Sequence, residues 1–191
     1  MIKRTKNMIK VGIAILAIAI IFLVGGFVYI QHNLSTYCIY YAKHIPHTKG
    51  TNPEMIVLLE NLDTIPLPNV NGIDYEIDNG NNNITKDKYI NLILSSEGAE
   101  IHFLKYGMEN DFKNQLYRTY FFSQSGKFEK YYYQDGLSNK NVYDKSGKSN
   151  NQAQEYVDEV INPIVEKMEV KPKVNLQWWF NKKYQERFSD E

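Results

Sequence analysis

The hydrophobic pattern divides the chain into three regimes. Val11 to Ile30, VGIAILAIAIIFLVGGFVYI, is apolar on every side and carries no charge. As a helix it would be about 30 Å long, enough to span a bilayer core. After a mixed stretch, Met55, Leu58, Leu59 and Leu62 recur at helical spacing between Pro53 and the Pro66/Pro68 pair. From residue 73 to about 145 the period changes to two. Ile73, Tyr75 and Ile77 alternate with Asp74, Glu76 and Asp78, and Ile90, Leu92 and Leu94 alternate with Asn91 and Ser95. Ile101 and Phe103, Tyr117–Phe122, Phe128–Tyr133 and Val142–Tyr143 continue the series. Glu97-Gly98, Ser123–Lys127 and Asp144–Lys148 read as turns between them, which predicts an antiparallel meander. The helical period returns at Val157, Val160, Ile161, Ile164, Val165 and Met168, with Pro163 inside the stripe predicting a kink or break. A second stripe, Leu176, Trp179, Phe180, Tyr184 and Phe188, follows Lys171-Pro172. The predicted class is therefore α+β: an N-terminal transmembrane helix, a β-meander sheet, and C-terminal helices packed on one of its faces. That leaves the opposite face open and rich in Tyr.

Charge orients the apolar run. Lys3, Arg4, Lys6 and Lys10 precede it without an acid, and Lys43 is the next cation after it. Positive-inside bias keeps such an N-terminus in the cytoplasm and exports the remainder. The expected organisation is a basic cytoplasmic tail over 1–10, a transmembrane signal anchor over 11–30, a stalk over 31–53 and an extracellular domain over 54–191. Tyr37, Tyr40 and Tyr41 fit either an extension of the anchor helix into the interface or the first residues of the core. A cleaved signal peptide would need a shorter apolar region and a small-residue cleavage site, and Val28-Tyr29-Ile30-Gln31-His32 supplies none. Tyr37 before Cys38 is wrong for a lipoprotein. The predicted location is the cell membrane, crossed once.

The totals change the picture in two ways. Lys plus Arg is 22 and Asp plus Glu is 22, so the +4 of residues 1–10 leaves residues 31–191 at −4. Such a domain lacks the basic face that nucleic acid requires. Cys38 is the sole cysteine, which excludes an intrachain disulfide and a cysteine-based zinc site. Of the 15 tyrosines, 14 follow residue 30, ample material for a core.

Candidate chemistry is sparse. His44 and His47 are separated by Pro46 and lack a third ligand nearby, so they read as solvated residues rather than a metal pair. Asp74, Glu76 and Asp78 before Asn79-Gly80-Asn81 resemble a calcium loop, but glycine is one position late. Alternating acids on a strand share a face, as a solvated surface or as a negative patch for a basic partner. Tyr131 and Tyr133, with Asp135 two residues on, would share a face, with Tyr132 opposite in the core. Tyrosine is favoured at protein interfaces, being large and rigid with a polar tip. Asp74, Glu76, Asp78, Tyr131, Tyr133 and Asp135 are thus the candidate partner-binding residues, on one acidic, Tyr-bearing sheet face. Trp179 falls on the apolar stripe and reads as core, whereas Trp178 lies off it. No nucleophile elbow, zincin helix, P-loop or dinucleotide fingerprint occurs, and no cofactor is expected.

The layout resembles the TipC family of immunity proteins. The similarity rests on a membrane segment followed by a small domain, on Tyr89-Ile90-Asn91-Leu92-Ile93-Leu94 up to Gly98, and on Tyr131-Tyr132-Tyr133 leading to Asn141-Val142-Tyr143-Asp144-Lys145-Ser146-Gly147-Lys148. The closing segment Lys171-Pro172-Lys173-Val174-Asn175-Leu176-Gln177-Trp178-Trp179-Phe180-Asn181 is also similar. The resemblance implies a non-enzymatic protein that neutralises a secreted LXG toxin of the type VII system, acting on lipid II at the outer membrane face. It carries over no individual site residues. Two other classes remain open. A cell-envelope sensor or enzyme would need a deep pocket, for example one holding His102 with two acids. A structural subunit of an envelope complex would need a stable membrane partner.

Overall fold

The computed structural model describes residues 2–78, 81–105, 116–135, 140–144 and 147–189, with the backbone alone at 2–9, 11, 78, 81, 104–105, 116–117, 134–135, 140–144 and 147. Helix α1 (Ile2–Thr36) contains the stretch Gly12–Thr36, long and apolar enough to cross a membrane, and none of its apolar window is buried against the rest of the protein. The chain turns at Tyr37 and continues as α2 (Cys38–Lys43). α2 ends before Ile45-Pro46, as expected where a proline disfavours helical backbone in the residue before it.

The segment expected as a stalk contributes to the core. Cys38, Ile39, Tyr41, Ala42 and Ile45 are buried, so for Tyr41 the second of the two sequence readings holds. Helix α3 (Pro53–Glu60) has proline in its first turn, where the missing N–H costs nothing. It buries Ile56 and Val57 in addition to Met55, Leu58 and Leu59. It is a central helix, buried on more than the predicted stripe.

The meander forms one seven-stranded antiparallel sheet in chain order: β1 (Ile73–Asp78), β2 (Asn81–Lys86), β3 (Ile90–Ser95), β4 (Gly98–Lys105), β5 (Leu116–Ser123), β6 (Phe128–Asp135) and β7 (Lys140–Asp144). β2 is the strand the hydrophobic pattern did not announce. Its residues Asn81-Asn82-Asn83 have poor strand propensity. Asp78 pairs with Asn81 across two residues, Asn79-Gly80, a dipeptide typical of tight hairpins.

Two hairpins show why glycine is needed. Gly98 pairs with Ser95 at φ +150, and a Cβ there would lie 2.1 Å from the Phe122 carbonyl oxygen. Gly126 (φ +74) lets the β5–β6 turn touch the Asn52 backbone, and Asn52 Nδ2 donates to the Gly126 carbonyl at 2.7 Å. That contact ties the sheet to the start of α3.

Helix α4 (Gly147–Met168) runs through Pro163 without the predicted break. Proline removes one bond, to the carbonyl of Glu159. Glu159 and Asn162 face solvent there, while Val160, Ile161, Ile164 and Val165 hold the helix on both sides of the lesion by burial. Helix α5 (Gln177–Phe188) buries Phe180 and Phe188 and reaches α3 through Arg187 and Glu60 at 2.7 Å. Trp179, expected in the core, is 43% exposed, and Trp178 is 64% exposed.

The open sheet face as a candidate protein-binding site

The register assigns each side chain to a face. Ile73, Ile84, Ile90, Leu92, Ala99, Ile101, Tyr120 and Phe122 line up across the strands and are all buried. They make up the sheet's whole share of the buried core among the described residues. Helices cover this face: Lys86 Nζ bonds Glu159 on α4 at 2.7 Å, Asn82 Nδ2 bonds the Leu59 carbonyl at 2.8 Å, and the Phe103 ring stacks on Tyr156 at 5.3 Å.

The opposite face holds Asp74 and Glu76, then Asn83, Thr85, Asn91, Ile93, Glu100, His102, Thr119, Phe121, Lys130 and Tyr132 by the same register. Asp74 and Glu76 are exposed. Glu76 Oε2 accepts from Asn83 Nδ2 at 3.0 Å, which holds that carboxylate at the β1–β2 edge. Farther along, His102 Nε2 meets Glu100 Oε2 at 2.9 Å, and Lys130 Nζ stands 4.6 Å from the centre of the Phe121 ring. The face thus grades from acids and amides at β1–β2 to aromatic rings and a cation at β5–β6. A surface of this kind offers contact area and hydrogen bonds.

The predicted site divides between the two faces. Asp74 and Glu76 stand on the open face, as the acidic patch requires. Tyr131 and Tyr133 do not join them. They lie on the helix-bearing face, half-buried, with Tyr131 between Tyr120 at 4.9 Å and Tyr133 at 6.5 Å. Tyr132 is the member of the triplet on the open face. The reversal has a local cause: a bulge in the β5–β6 pairing sets Phe121 opposite Lys130 but Phe122 opposite Phe128. The extra residue shifts the phase, so Phe128 shares its face with Tyr131 and Tyr133 rather than with Tyr132. The side chains of Asp78 and Asp135 lie outside the described residues. Phe121, Lys130 and Tyr132 are the open-face residues that period-two counting missed.

Burial shapes the titration of the rings behind this face. Tyr120 is fully buried, with no hydrogen-bond partner for its hydroxyl among the described residues, and burial pushes its pKa well up while the Arg118 guanidinium pulls weakly the other way. Tyr75, whose hydroxyl donates to the Pro68 carbonyl at 3.0 Å, is raised to about 12 by burial.

The other sequence candidates are local structure. His44 Nδ1 contacts the Tyr40 carbonyl at 2.7 Å and His47 Nδ1 the Ile45 carbonyl at 2.9 Å. Among the described residues no cluster of three His, Cys, Asp or Glu could hold a metal. A cleft of about 310 Å³ lies between α2–α3 and α4, lined by Lys43, Asn52, Gln154 and Asp158. Three of its polar groups bond one another: Gln154 Nε2 reaches Asn52 Oδ1 at 2.9 Å and Asp158 Oδ1 at 2.8 Å. His102 is not among its lining residues.

Comparison with protein-family models, curated proteins and solved structures gives no match for this chain.

Proposed function

We propose that this chain is a membrane-anchored immunity protein that binds a secreted LXG-type toxin and occludes it at the outer face of the membrane. The observation that carries the reading is the sheet face opposite the helices, with the exposed Asp74 and Glu76 at one end and the half-buried Phe121, Lys130 and Tyr132 at the other. A tight protein complex buries about 1,200–2,000 Å² in total, an area one sheet face can supply. The resemblance to the TipC family and the apolar helix ahead of the domain agree with this use.

In this reading the mechanism involves no chemistry. α1 holds the domain in the layer where a toxin of lipid-linked precursors works, which raises the effective concentration of the inhibitor. The net −4 of residues 31–191 steers association with a basic toxin surface. The alternative, an envelope sensor or enzyme, has no observation of comparable weight: in the α2–α4 cleft Gln154 is bonded to Asn52 and to Asp158.

The reading is tested by pull-down of a panel of LXG toxins with the full-length protein in lipid nanodiscs. Retention of one of them, and not of the rest, is expected. Failure to retain any overturns the reading.

A further inference from the structure

Helix α5 begins beside the membrane-length helix. Trp179 lines a shallow apolar groove of about 350 Å³ with Phe22, Leu23, Gly26, Phe27 and Ile30 of α1. Phe22 to Ile30 covers about 12 Å of helix axis, ending where the uncharged apolar run ends. Trp179 therefore sits at the depth of the last two to three turns of that run. Trp178 packs edge-on against Trp179 at 5.2 Å, and Val174 nearby is also exposed.

Three bonds fix this placement. Asn33 Nδ2 donates to the Val174 carbonyl at 3.3 Å, the Tyr41 hydroxyl donates to Asn33 Oδ1 at 2.6 Å, and Leu176 N–H donates to the Tyr41 hydroxyl at 3.1 Å. The segment before α5 is thus fastened to α1 one turn beyond Ile30. Charge has a matching bias. Between Val170 and Tyr184 stand Lys171, Lys173, Lys182 and Lys183, all exposed, and no acid. Lys182 Nζ lies 5.5 Å from the centre of the Trp178 ring.

We propose that residues 171–183 form a seat on the bilayer interface. Trp178, Trp179 and Val174 enter the boundary between headgroups and acyl chains on the domain's side, and the lysines meet anionic lipid phosphates. Continuity with α1 selects this occupant, since rings held against the end of a membrane-spanning helix lie at the level where Trp is enriched. Lysines beside the membrane are drawn to anionic lipid in the same way. The inference rests on reading α1 as a membrane anchor. Its consequence is a domain held at one height and tilt, rather than swinging on a flexible tether.

The two tryptophans of the chain are Trp178 and Trp179, so intrinsic emission reports the seat directly. The full-length protein is reconstituted into vesicles of zwitterionic lipid with and without anionic phosphatidylglycerol, and a flotation step first establishes whether it is membrane-bound. The proposal expects blue-shifted emission, loss of most of it to brominated lipid, protection from acrylamide, and stronger bromolipid quenching with phosphatidylglycerol present. Changing Lys171, Lys173, Lys182 and Lys183 together to Gln is expected to remove that lipid dependence while flotation persists. Protein that does not float overturns the anchor reading and this one with it. Protein that floats but is quenched by acrylamide and not by bromolipid overturns the seat alone. Protection from both quenchers also overturns it, because the rings would then be covered by protein, such as a second copy of the chain.

Discussion

The hydroxyl of Tyr41 lies 2.6 Å from Oδ1 of Asn33, and both side chains are buried where the membrane-length helix meets the domain. The same hydroxyl accepts from Leu176 N–H, and Gln177 Nε2 bonds the Tyr41 carbonyl at 2.9 Å. One phenol thereby ties α1, α2 and the start of α5 together. The Tyr41 ring packs against Phe180 at 5.6 Å, and burial raises its pKa. Buried polar groups left without partners are costly, so this node fixes the angle at which the helix leaves the domain.

Tyr41→Phe keeps the ring and removes the hydroxyl. It strands the Leu176 N–H and one side of Asn33, at a cost of about 1–3 kcal/mol. Thermal unfolding of the full-length protein in micelles should show a lowered Tm. A double-mutant cycle with Asn33→Ala should show coupling, whereas additivity would mean the bond does not hold the junction.

Cys38 is 4% exposed, and burial raises its thiol to about 11 from 9.0. Folded protein at pH 8 should therefore react with a thiol reagent roughly a hundredfold more slowly than unfolded protein, through thiolate fraction alone. The same shift makes stability depend on pH. The folded pKa of Cys38 lies above its unfolded value, and those of Tyr75 and Tyr120 are raised too, so these groups give their full contribution below about pH 9. That contribution is lost as pH rises through 9 toward 11–12. Urea midpoints should hold flat from pH 7 to 8.5 and fall above that, and a midpoint that rises toward pH 11 would contradict the assignment.

Gly98→Ala should destabilise by about 1–3 kcal/mol or more, because the new methyl meets the Phe122 carbonyl oxygen at 2.1 Å in a backbone conformation that side chains rarely adopt. Leu92→Ala, in the same sheet, should cost about 2–5 kcal/mol by leaving a cavity. Urea unfolding measures both. Equal tolerance of the two would argue against the β3–β4 register.

The division of the candidate residues between two faces separates their mutant effects. Asp74→Lys, with Asp74 exposed on the open face, should leave stability within about 0.5 kcal/mol of the parent, as surface changes do, yet slow association with a toxin partner. Tyr131→Ala should do the reverse, lowering stability by about 1–3 kcal/mol because the half-buried ring packs on Tyr120. Association rates by surface plasmon resonance and thermal melts check both, and a Tyr131 variant that melts normally but binds poorly would return that residue to the interface.

Much of the fold was legible because the periodicities are clean. The Ile73–Ile77 and Ile90–Leu94 alternations, the Val157–Met168 stripe and the uncharged run before residue 30 each correspond to an element. β2 was not legible from hydrophobicity, since three of its six residues are Asn and its burial comes from Ile84 and from Asn82 bonded to the Leu59 carbonyl. Asn79-Gly80 was the overlooked signal. The candidate site was half legible. Asp74 and Glu76 follow from simple alternation, but the phase of Tyr131–Tyr133 depends on a one-residue bulge that leaves no trace in composition. Trp179 was misassigned because a stripe of apolar residues does not say what covers it.

The central claim is neutralisation of a toxin outside the membrane, and survival tests it most directly. Sensitive cells expressing the full-length protein, a form lacking residues 1–30, or the Asp74→Lys variant would be challenged with each of a panel of exported LXG toxins. Protection by the full-length protein, weakened protection by the Asp74→Lys variant, and none by the cytoplasmic form is the predicted result. Death of the cells expressing full-length protein under every toxin of the panel, at the same rate as cells without it, would contradict the account.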